Sequence, residues 1–300
     1  MDSPVNPTAL TRRDFLRGAT SAAFAVAFGG ASSPKEIRAE DRSGVVLIRH
    51  VDVVGRHGEI RGEILQEMLD EAVRTLLGTE SALEGWRGLF KKTDVVGIKS
   101  NSWGRLPTPA ELEEGIQRRL KEVGIHEKNL SVDDRGVRQN PVFQKATALV
   151  NVRPLRTHHW AGMGSCLKNY IMFVPDPWAY HGEGCSNLGK IWTYPIVKGK
   201  TRLNILCALT PQFYGRGAHF FDRRYVWPYG GLLVGRDPVA VDAVGAEILK
   251  RKRISFFGED RSLDVPPIHI TVADHQYHLG TSDLSKIRLV KLGWREEGLL

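Results

Sequence analysis

Segments of strand length alternate with segments of helical periodicity along this chain, and that alternation limits the fold more than any other feature. Apolar, β-branched runs at residues 45–54 and 94–100 flank residues 62–77, which carry apolar side chains at helical spacing. Further runs typical of buried strands follow at residues 146–152, 203–209 and 232–234. Strands that alternate with amphipathic helices predict an α/β fold with a mostly parallel central sheet flanked by helices.

Two sequence signals mark the starts of further helices. Residues 108–111 have the pattern of a capping box with proline at the first helical position, which predicts a helix over residues 109–123. Asp237 followed by proline predicts an N-cap and a helix over residues 239–252. Additional strands are predicted at residues 130–133, 268–273 and 287–292.

One long stretch has no sustained period. Residues 170–201 are rich in glycine, proline, tryptophan and tyrosine, and they are too many for a plain connection between two elements. We therefore predict a long irregular, aromatic-rich insert. Such inserts commonly serve as lids, as ligand-binding loops or as contact surfaces for a partner.

The first forty residues have the pattern of an export signal. Arg12 and Arg13 precede the apolar pair Phe15-Leu16, an arrangement that resembles the signal read by the twin-arginine export machinery. Residues 18–31 are weakly apolar and fall short of the roughly 20 residues of a membrane-spanning helix, so we expect no stable membrane anchor. We predict a signal peptide over residues 1–40, a single α/β domain over 41–300, and a mature protein in the periplasm or outside the cell.

Charge and cysteine usage narrow the classes of ligand. The formal net charge of +8 is compatible with an anionic small molecule or an acidic partner. Cations and aromatic residues do not interleave on any recognisable nucleic-acid-binding module, so we expect no nucleic-acid partner. Cys166, Cys185 and Cys207 are too few for an intrinsic four-cysteine iron–sulfur site. They leave three alternatives open: one disulfide with a free thiol, metal ligation, or three buried thiols.

Polar residues follow several predicted strands, where the ligand cleft of an open α/β sheet lies. The candidates at these positions are Lys99, Asn101, Asp133, Arg156, His158, Cys166, Lys168 and Asn169. The last three belong to the segment GMGSCLKNY, whose two glycines allow a ligand to approach the backbone closely. This segment is the densest cluster of chemical groups in the sequence.

The first chemistry that fits these residues is an anion site. Lys99, Arg156 and Lys168 would supply the charges, and the amides of Asn101 and Asn169 would orient the ligand.

Two other chemistries remain open. His158 and Asp133, with Cys166 or His181, are ligand types that suit a zinc or iron ion. Cys166 could instead act as a nucleophile, with His158 or His159 as its base.

Four segments resemble the family of the domain of unknown function DUF362. They are IKSN at residues 98–101, the run from Val150 to Asn169, the run from Gly230 to Leu249, and the tail that begins at His269. The resemblance extends over about residues 45–292, and some family members carry ferredoxin-like cluster motifs, which implies redox work. The family's recurring polar positions would fall here on Lys99, Asn101, His158, Lys168, Asn169, Asp237 and Asp242. This chain departs from the family pattern at Ser165-Cys166 and Cys207, and it has no cluster motif.

From these residues we expect an exported enzyme that binds a metal ion or an anionic ligand and has a redox-type role. His158 would ligate the metal or exchange protons, Lys168 would hold negative charge on the substrate, and Cys166 is a further catalytic candidate. The candidate substrate-binding residues are Lys99, Asn101, Arg156, Asn169 and Asp242. The alternative is a non-catalytic accessory protein that docks to exported redox enzymes or cytochromes through an aromatic face made of Trp178, Tyr180, Trp192 and Tyr194.

Overall fold

The computed structural model describes residues 43–102 and 104–300 of the chain. The predicted signal peptide at residues 1–40 lies outside these ranges. Within them, no helix combines the length and the apolarity that a membrane crossing requires.

The described residues form one mixed sheet of eight strands. The strands are β1 (Ser43–Arg49), β2 (Val96–Lys99), β3 (Leu130–Asp133), β4 (Ala148–His158), β5 (Gly162–Gly164), β6 (Thr201–Gln212), β7 (Gly231–Gly235) and β8 (Ile287–Gly293). Their order is β3-β2-β4-β6-β7-β1-β8, with β5 paired to β4. The pairs β3–β2, β2–β4, β4–β6 and β1–β8 are parallel, while β7 runs antiparallel to both of its neighbours. The predicted α/β architecture is confirmed.

Helices cover both faces of this sheet. They are α1 (Gly62–Leu77), α2 (Ala82–Leu89), α3 (Ala110–Val123), α4 (Pro141–Gln144), α5 (Cys166–Asn169), α6 (Leu188–Ile191), α7 (Pro238–Phe257) and α8 (Ile268–His275). Successive residues of a strand point to opposite faces, so Val46 and Ile48 of β1 pack with α1, α2 and α3. Val45 and Leu47 pack on the other face with α7 and α5.

The start of α7 confirms its sequence signal, whereas the start of α3 does not. The Asp237 carboxylate accepts the N–H groups of Val239 at 2.8 Å and Ala240 at 3.0 Å, which is the geometry of an N-cap. The capping-box interpretation of residues 108–111 is wrong, because no side chain caps α3. The Thr108 hydroxyl instead accepts the backbone N–H of Asn101 at 3.2 Å and closes the loop between β2 and α3.

The predicted strand at residues 268–273 is also wrong, since this segment forms α8. His269, Ile270 and Ala273 are its buried residues, and their spacing matches one face of a helix. That face packs against α6 and α7, so tertiary contact overrides the β-branched composition of the segment. The strands β4 and β6, in contrast, run several residues longer than their apolar runs predict.

The predicted irregular insert is present as a series of short turns with α6 inside it. Its aromatic residues do not form one outward face, however. Trp192 is buried, stacks on Tyr170 with ring centroids 4.3 Å apart, and donates its indole N–H to the Leu167 carbonyl. Trp192 is therefore a core residue and does not belong to a docking face.

Candidate functional site

The parallel register of β2, β4 and β6 sets a row of polar side chains on one buried face of the sheet. Lys99 pairs with Asn151, which in turn pairs with Asn204. The apolar neighbours of these residues along each strand point to the face covered by α1, α2 and α3. The row and Arg153, two residues beyond Asn151, therefore face α5 and α7.

Lys99 is buried but fully partnered. Its ammonium donates to a carboxylate oxygen of Asp134 at 2.6 Å, the Ser100 carbonyl at 2.6 Å and the Asn169 amide oxygen at 3.3 Å. Burial lowers the pKa of Lys99 to about 8, although Asp134 opposes the shift. The ammonium of Lys99 and two hydrogen bonds from Ser102 in turn hold the pKa of Asp134 below its usual value, against the opposing effect of burial.

Asn169 braces α5 against the sheet. Its amide N–H groups donate to the Lys99 carbonyl at 3.0 Å, to Asn151 Oδ1 at 2.8 Å and to the Val152 carbonyl at 3.1 Å. Asn151 continues the chain of hydrogen bonds to Asn204 Oδ1 at 3.0 Å. We expected Lys99 and Asn169 to bind ligand. Their hydrogen bonds are instead made to each other, to neighbouring side chains and to the backbone.

Arg156 and Asn101 form a second hydrogen-bonded pair. The guanidinium donates to Asn101 Oδ1 at 2.7 Å and to the Leu106 carbonyl, so it ties the loop after β2 to β4. Burial lowers the pKa of Arg156 to about 9.

Asp242 holds the turn that begins α5. Its carboxylate accepts the Ser165 hydroxyl at 2.6 Å and the backbone N–H groups of Cys166 at 2.8 Å and Leu167 at 2.9 Å. Burial raises the pKa of Asp242 to about 6 in spite of these hydrogen bonds. The carboxylate from α7 therefore fixes the position of α5, and with it that of Lys168.

The Cys166 thiol lies beside this carboxylate and is fully buried. Burial, together with the negative charge of Asp242, raises its pKa well above the usual value of a thiol. A thiol that stays protonated is a weak nucleophile, so its surroundings do not fit the expected covalent role. Cys185 and Cys207 are likewise buried and free, which selects the alternative of three buried thiols among those that the sequence left open.

Arg153 and Lys168 differ from Lys99 because they are buried without a carboxylate in direct contact. Arg153 is 4% exposed, and its Nε has no hydrogen-bond partner. Lys168 is 2% exposed, and its ammonium contacts the Cys185 sulfur at 3.8 Å. Among the described residues, no Asp or Glu oxygen lies within salt-bridge distance of either cation. Both charges lower the pKa of His158 and of His269, and the Arg153 charge lowers the pKa of Lys168. The two cations therefore lie near each other and near both histidines.

His158 stands at the end of β4 next to these cations. Its Nδ1 accepts the backbone N–H of Trp160 at 3.1 Å, which leaves the proton of the neutral ring on Nε2. Burial and the charges of Lys168 and Arg153 lower the pKa of His158 far below its usual value. The imidazole is therefore neutral at physiological pH and offers a hydrogen-bond donor rather than a base.

His158 and Asp133 do not form the expected metal site. The Asp133 carboxylate accepts the Gly136 N–H at 2.8 Å and the Asn140 amide at 3.0 Å, so it stabilises the turn after β3. Asp133 lies level with Lys99 and Asn151 in the sheet, whereas His158 lies roughly 20 Å farther along β4 at the rise of a strand. In the described part of the chain, no three His, Cys, Asp or Glu residues are grouped to hold a metal ion.

Buried positive charges outnumber buried negative charges at this site. Its cations are Lys99, Arg153, Arg156 and Lys168, and its carboxylates are Asp134 and Asp242. His269 on α8 adds a fully buried imidazole whose Nδ1 has no partner and whose pKa is lowered to about 3 by burial and by Lys168. Sequence analysis missed Arg153 and His269. The signal for Arg153 was a charged residue that continues the alternation of Asn151 on β4.

Part of the chain matches the model of a known protein family. Residues 115–247 match the family model described as Domain of unknown function (DUF362), a narrower span than the resemblance extends over. The matched range runs from α3 to α7 and includes Arg153, His158 and Lys168. No curated protein and no solved structure matches the chain. Over residues 115–247, which is less than half of its length, the chain is similar to the DUF362 family.

Proposed function

We propose that this chain binds a small anion, a carboxylate or a phosphate group, between Arg153 and Lys168. The observation that carries the proposal is the burial of these two cations with no carboxylate oxygen of the described residues in direct ion-pair contact, although the charges of Asp134 and Asp242 act on Arg153 from farther away. An uncompensated buried charge costs several kcal/mol, so a fold that keeps two of them needs a reason. A ligand that supplies the missing negative charge is such a reason.

The donor set suits an oxyanion. A guanidinium offers a planar fork of N–H groups that matches two oxygens of a carboxylate or phosphate, and an ammonium adds a compact charge. The Nε2–H of His158 would be a third donor at the edge of the site. Gly164 lets the Arg153 guanidinium lie close to the backbone of β5, because a side chain there would come within 3.0 Å of it.

The satisfied groups around the two cations would keep the site rigid. Asp242 and Asn169 fix α5 from opposite sides, so Lys168 has little freedom to move away from the ligand. Because the Cys166 thiol and the His158 imidazole are both held neutral, the site supplies charge and hydrogen-bond donors. We therefore propose binding and orientation of the anion as the role of these residues.

Calorimetric titration with inorganic phosphate and with acetate tests the proposal. The unmodified protein should bind at least one of these anions, and Arg153→Met or Lys168→Met should weaken binding at least tenfold. Lys190→Met, which removes an exposed lysine, is the matched control and should have no effect. Failure of the unmodified protein to bind either anion, or equal binding by all variants, would overturn the proposal.

We also propose that the chain is exported by the twin-arginine route, on the strength of Arg12 and Arg13. Fractionation of cells that produce the full chain should recover the shortened protein outside the cytoplasm. The variant Arg12→Lys/Arg13→Lys should remain inside at full length, and export of that variant would contradict the route. The expected metal and redox roles, and the alternative of an accessory protein, stay predictions that elemental analysis and pull-down of the exported protein can test.

A further inference from the structure

We propose that the anion bound by Arg153 and Lys168 is carried on a flat aromatic ring, so that the ligand is an aromatic acid. This inference rests on the proposed anion site and names the class of its ligand. It is based on a group of side chains, here called the ring cluster, that lies against Lys168. The ring cluster consists of His159, Trp160, Trp178, His181, His219 and Phe220.

The rings of the cluster are in continuous contact. Trp160 lies at the centre, with its ring centroid 4.1 Å from that of His159, 4.4 Å from that of His181 and 5.2 Å from that of Trp178. His159 extends the series to Phe220 at 5.5 Å. The two ends are open to solvent, since Trp178 is 69% exposed and Phe220 is 52% exposed. A contiguous set of rings, half-buried in the middle and exposed at both ends, is the kind of surface that marks a binding site.

A single thiol connects the ring cluster to the anion site. The Lys168 ammonium lies 3.8 Å from the Cys185 sulfur, and that sulfur lies 3.5 Å from the Trp160 carbonyl and 4.0 Å from the His181 carbonyl. The two carbonyls belong to the backbone, but the Lys168 charge also lowers the pKa of the His159 and His181 rings, so these two rings lie near a charged group held by Lys168.

The turn that carries this thiol is conformationally strained. Glu183, Gly184 and Cys185 have φ angles of 49°, 64° and 60°, which lie in the left-handed region that residues with a side chain seldom adopt. Strain of this kind persists only where the surrounding structure enforces it, and it is concentrated at ligand sites. The strained turn thus agrees with a ligand site between Lys168 and the ring cluster.

The far end of the ring cluster has room for the body of a ligand. A cavity of about 500 Å³ lies beside His219 and Phe220, with Arg105 and Arg223 on its wall. Cavities of this size accommodate small organic molecules. Burial and the Lys168 charge lower the pKa of His181 to about 4, so this ring is neutral at physiological pH and can stack on another aromatic ring.

Titration calorimetry with two matched acids tests the aromatic preference. The probes are 2-naphthoate and its saturated counterpart decahydro-2-naphthoate, which carry the same carboxylate on a flat and on a puckered body. We expect the unmodified protein to bind 2-naphthoate at least tenfold more tightly, which corresponds to about 1.4 kcal/mol. Equal affinities for the two acids would overturn the inference.

Two variants distinguish stacking on the ring cluster from nonspecific hydrophobic binding. Phe220→Ala should bring the ratio of the two affinities close to one, because it removes an exposed ring of the cluster beside the cavity that would hold the body of the ligand. Phe256→Ala is the matched control: it removes a 53% exposed ring that packs on Phe213 and Phe257 instead, and the ratio should persist. Loss of the ratio in the control as well would contradict a site at the ring cluster.

Titrations with acetate and phosphate distinguish failure of this inference from failure of the proposed function. If these anions bind and the two ring acids do not differ, the anion site stands and its aromatic ligand class is wrong. If no anion binds, both proposals fall.

Discussion

Lys99 and Lys168 are the same side chain, equally buried, with and without a carboxylate partner. Lys99 has Asp134 at 2.6 Å and two further oxygen acceptors, whereas Lys168 has a thiol at 3.8 Å. Burial lowers the pKa of each ammonium to about 8. The difference between the two residues therefore lies in what stabilises the charged form, and substitution separates the two cases.

Replacement of each lysine by methionine should change stability in opposite directions. Lys168→Met removes an uncompensated buried charge and should raise the free energy of unfolding by about 1–4 kcal/mol. Lys99→Met leaves the buried carboxylate of Asp134 without its cation and should lower that free energy by about 3–5 kcal/mol. Urea unfolding at pH 7 without ligand measures both. Destabilisation by Lys168→Met would show that Lys168 has a stabilising partner in the unliganded protein.

The stability difference between the unmodified protein and Lys168→Met should depend on pH. The pKa of Lys168 is about 8 in the folded protein, compared with 10.5 ordinarily, so between these values the unfolded chain binds a proton that the folded protein does not. The unmodified protein should therefore gain stability relative to the variant as pH rises from 8 to 10.5, by about 3 kcal/mol. Urea unfolding of both proteins across this range checks the change. A difference that stays constant would contradict a lowered pKa for Lys168.

At the scale of elements, α5 is a four-residue helix that packing must hold in place. Such a short helix has little stability of its own, so the Asp242 carboxylate and the Asn169 amide determine where it lies. Asp237 plays a similar capping part for α7, but α7 is twenty residues long and carries no cation of the site. The two carboxylates thus have the same chemistry and different consequences.

Asparagine at either position should destabilise the protein, and only one variant should weaken anion binding selectively. Asp242→Asn and Asp237→Asn each exchange an acceptor oxygen for an N–H donor that faces a backbone N–H group, that of Cys166 or Leu167 in the first variant and that of Thr281 in the second, at a cost of about 1–3 kcal/mol. Asp242→Asn should also weaken anion binding several-fold, because Lys168 moves with α5. Urea unfolding and calorimetry with the better-binding anion measure the two effects. Equal affinities in the two variants would argue against a positioning role for Asp242.

The elements that could be predicted from the sequence are those in which the apolar residues follow a single helical or strand spacing, or in which a clear cap signal marks the start. The helix α1 spans residues 62–77 as its apolar spacing predicts, and α7 follows the Asp237 cap. The segment 268–273 was misread because its β-branched residues favour a strand, while its packing against α6 and α7 favours a helix. Local composition carries no information on such distant contacts.

Several residues of the site could be predicted from the sequence, but their hydrogen-bond and ion-pair partners could not. His158 and Lys168 stood out because polar groups follow the predicted strands, but Arg153 was missed because the apolar run ends before it while β4 continues. The pairing of Lys99 with Asp134, 35 residues away, decides which lysine is satisfied. That pairing depends on the register of β2 with its neighbours, which no local pattern specifies.

At the scale of the whole molecule, a net charge of +8 is compatible with an anionic ligand but does not locate its site. The fold concentrates four buried cations, of which Lys99 is paired with the carboxylate of Asp134, in the part of the chain that the DUF362 family model largely covers. We therefore expect the buried positive charges to lower the free energy of unfolding of the unliganded protein, and a bound anion to restore it. This makes the stability of the entire chain a reporter of ligand binding.

A saturating anion should raise the melting temperature of the unmodified protein by clearly more than that of Lys168→Met. Any ligand that binds only the folded state stabilises it by about 2.7 kcal/mol at one hundred times its dissociation constant. Because the ammonium of Lys168 has a pKa of about 8 in the free protein, this stabilisation should weaken at pH 9.5, where the ammonium is largely deprotonated. Scanning calorimetry with and without phosphate at pH 7 and 9.5 tests both statements, and Lys190→Met should behave like the unmodified protein. A shift of equal size in Lys168→Met, or one that grows with pH, would place the stabilising anion elsewhere on the molecule.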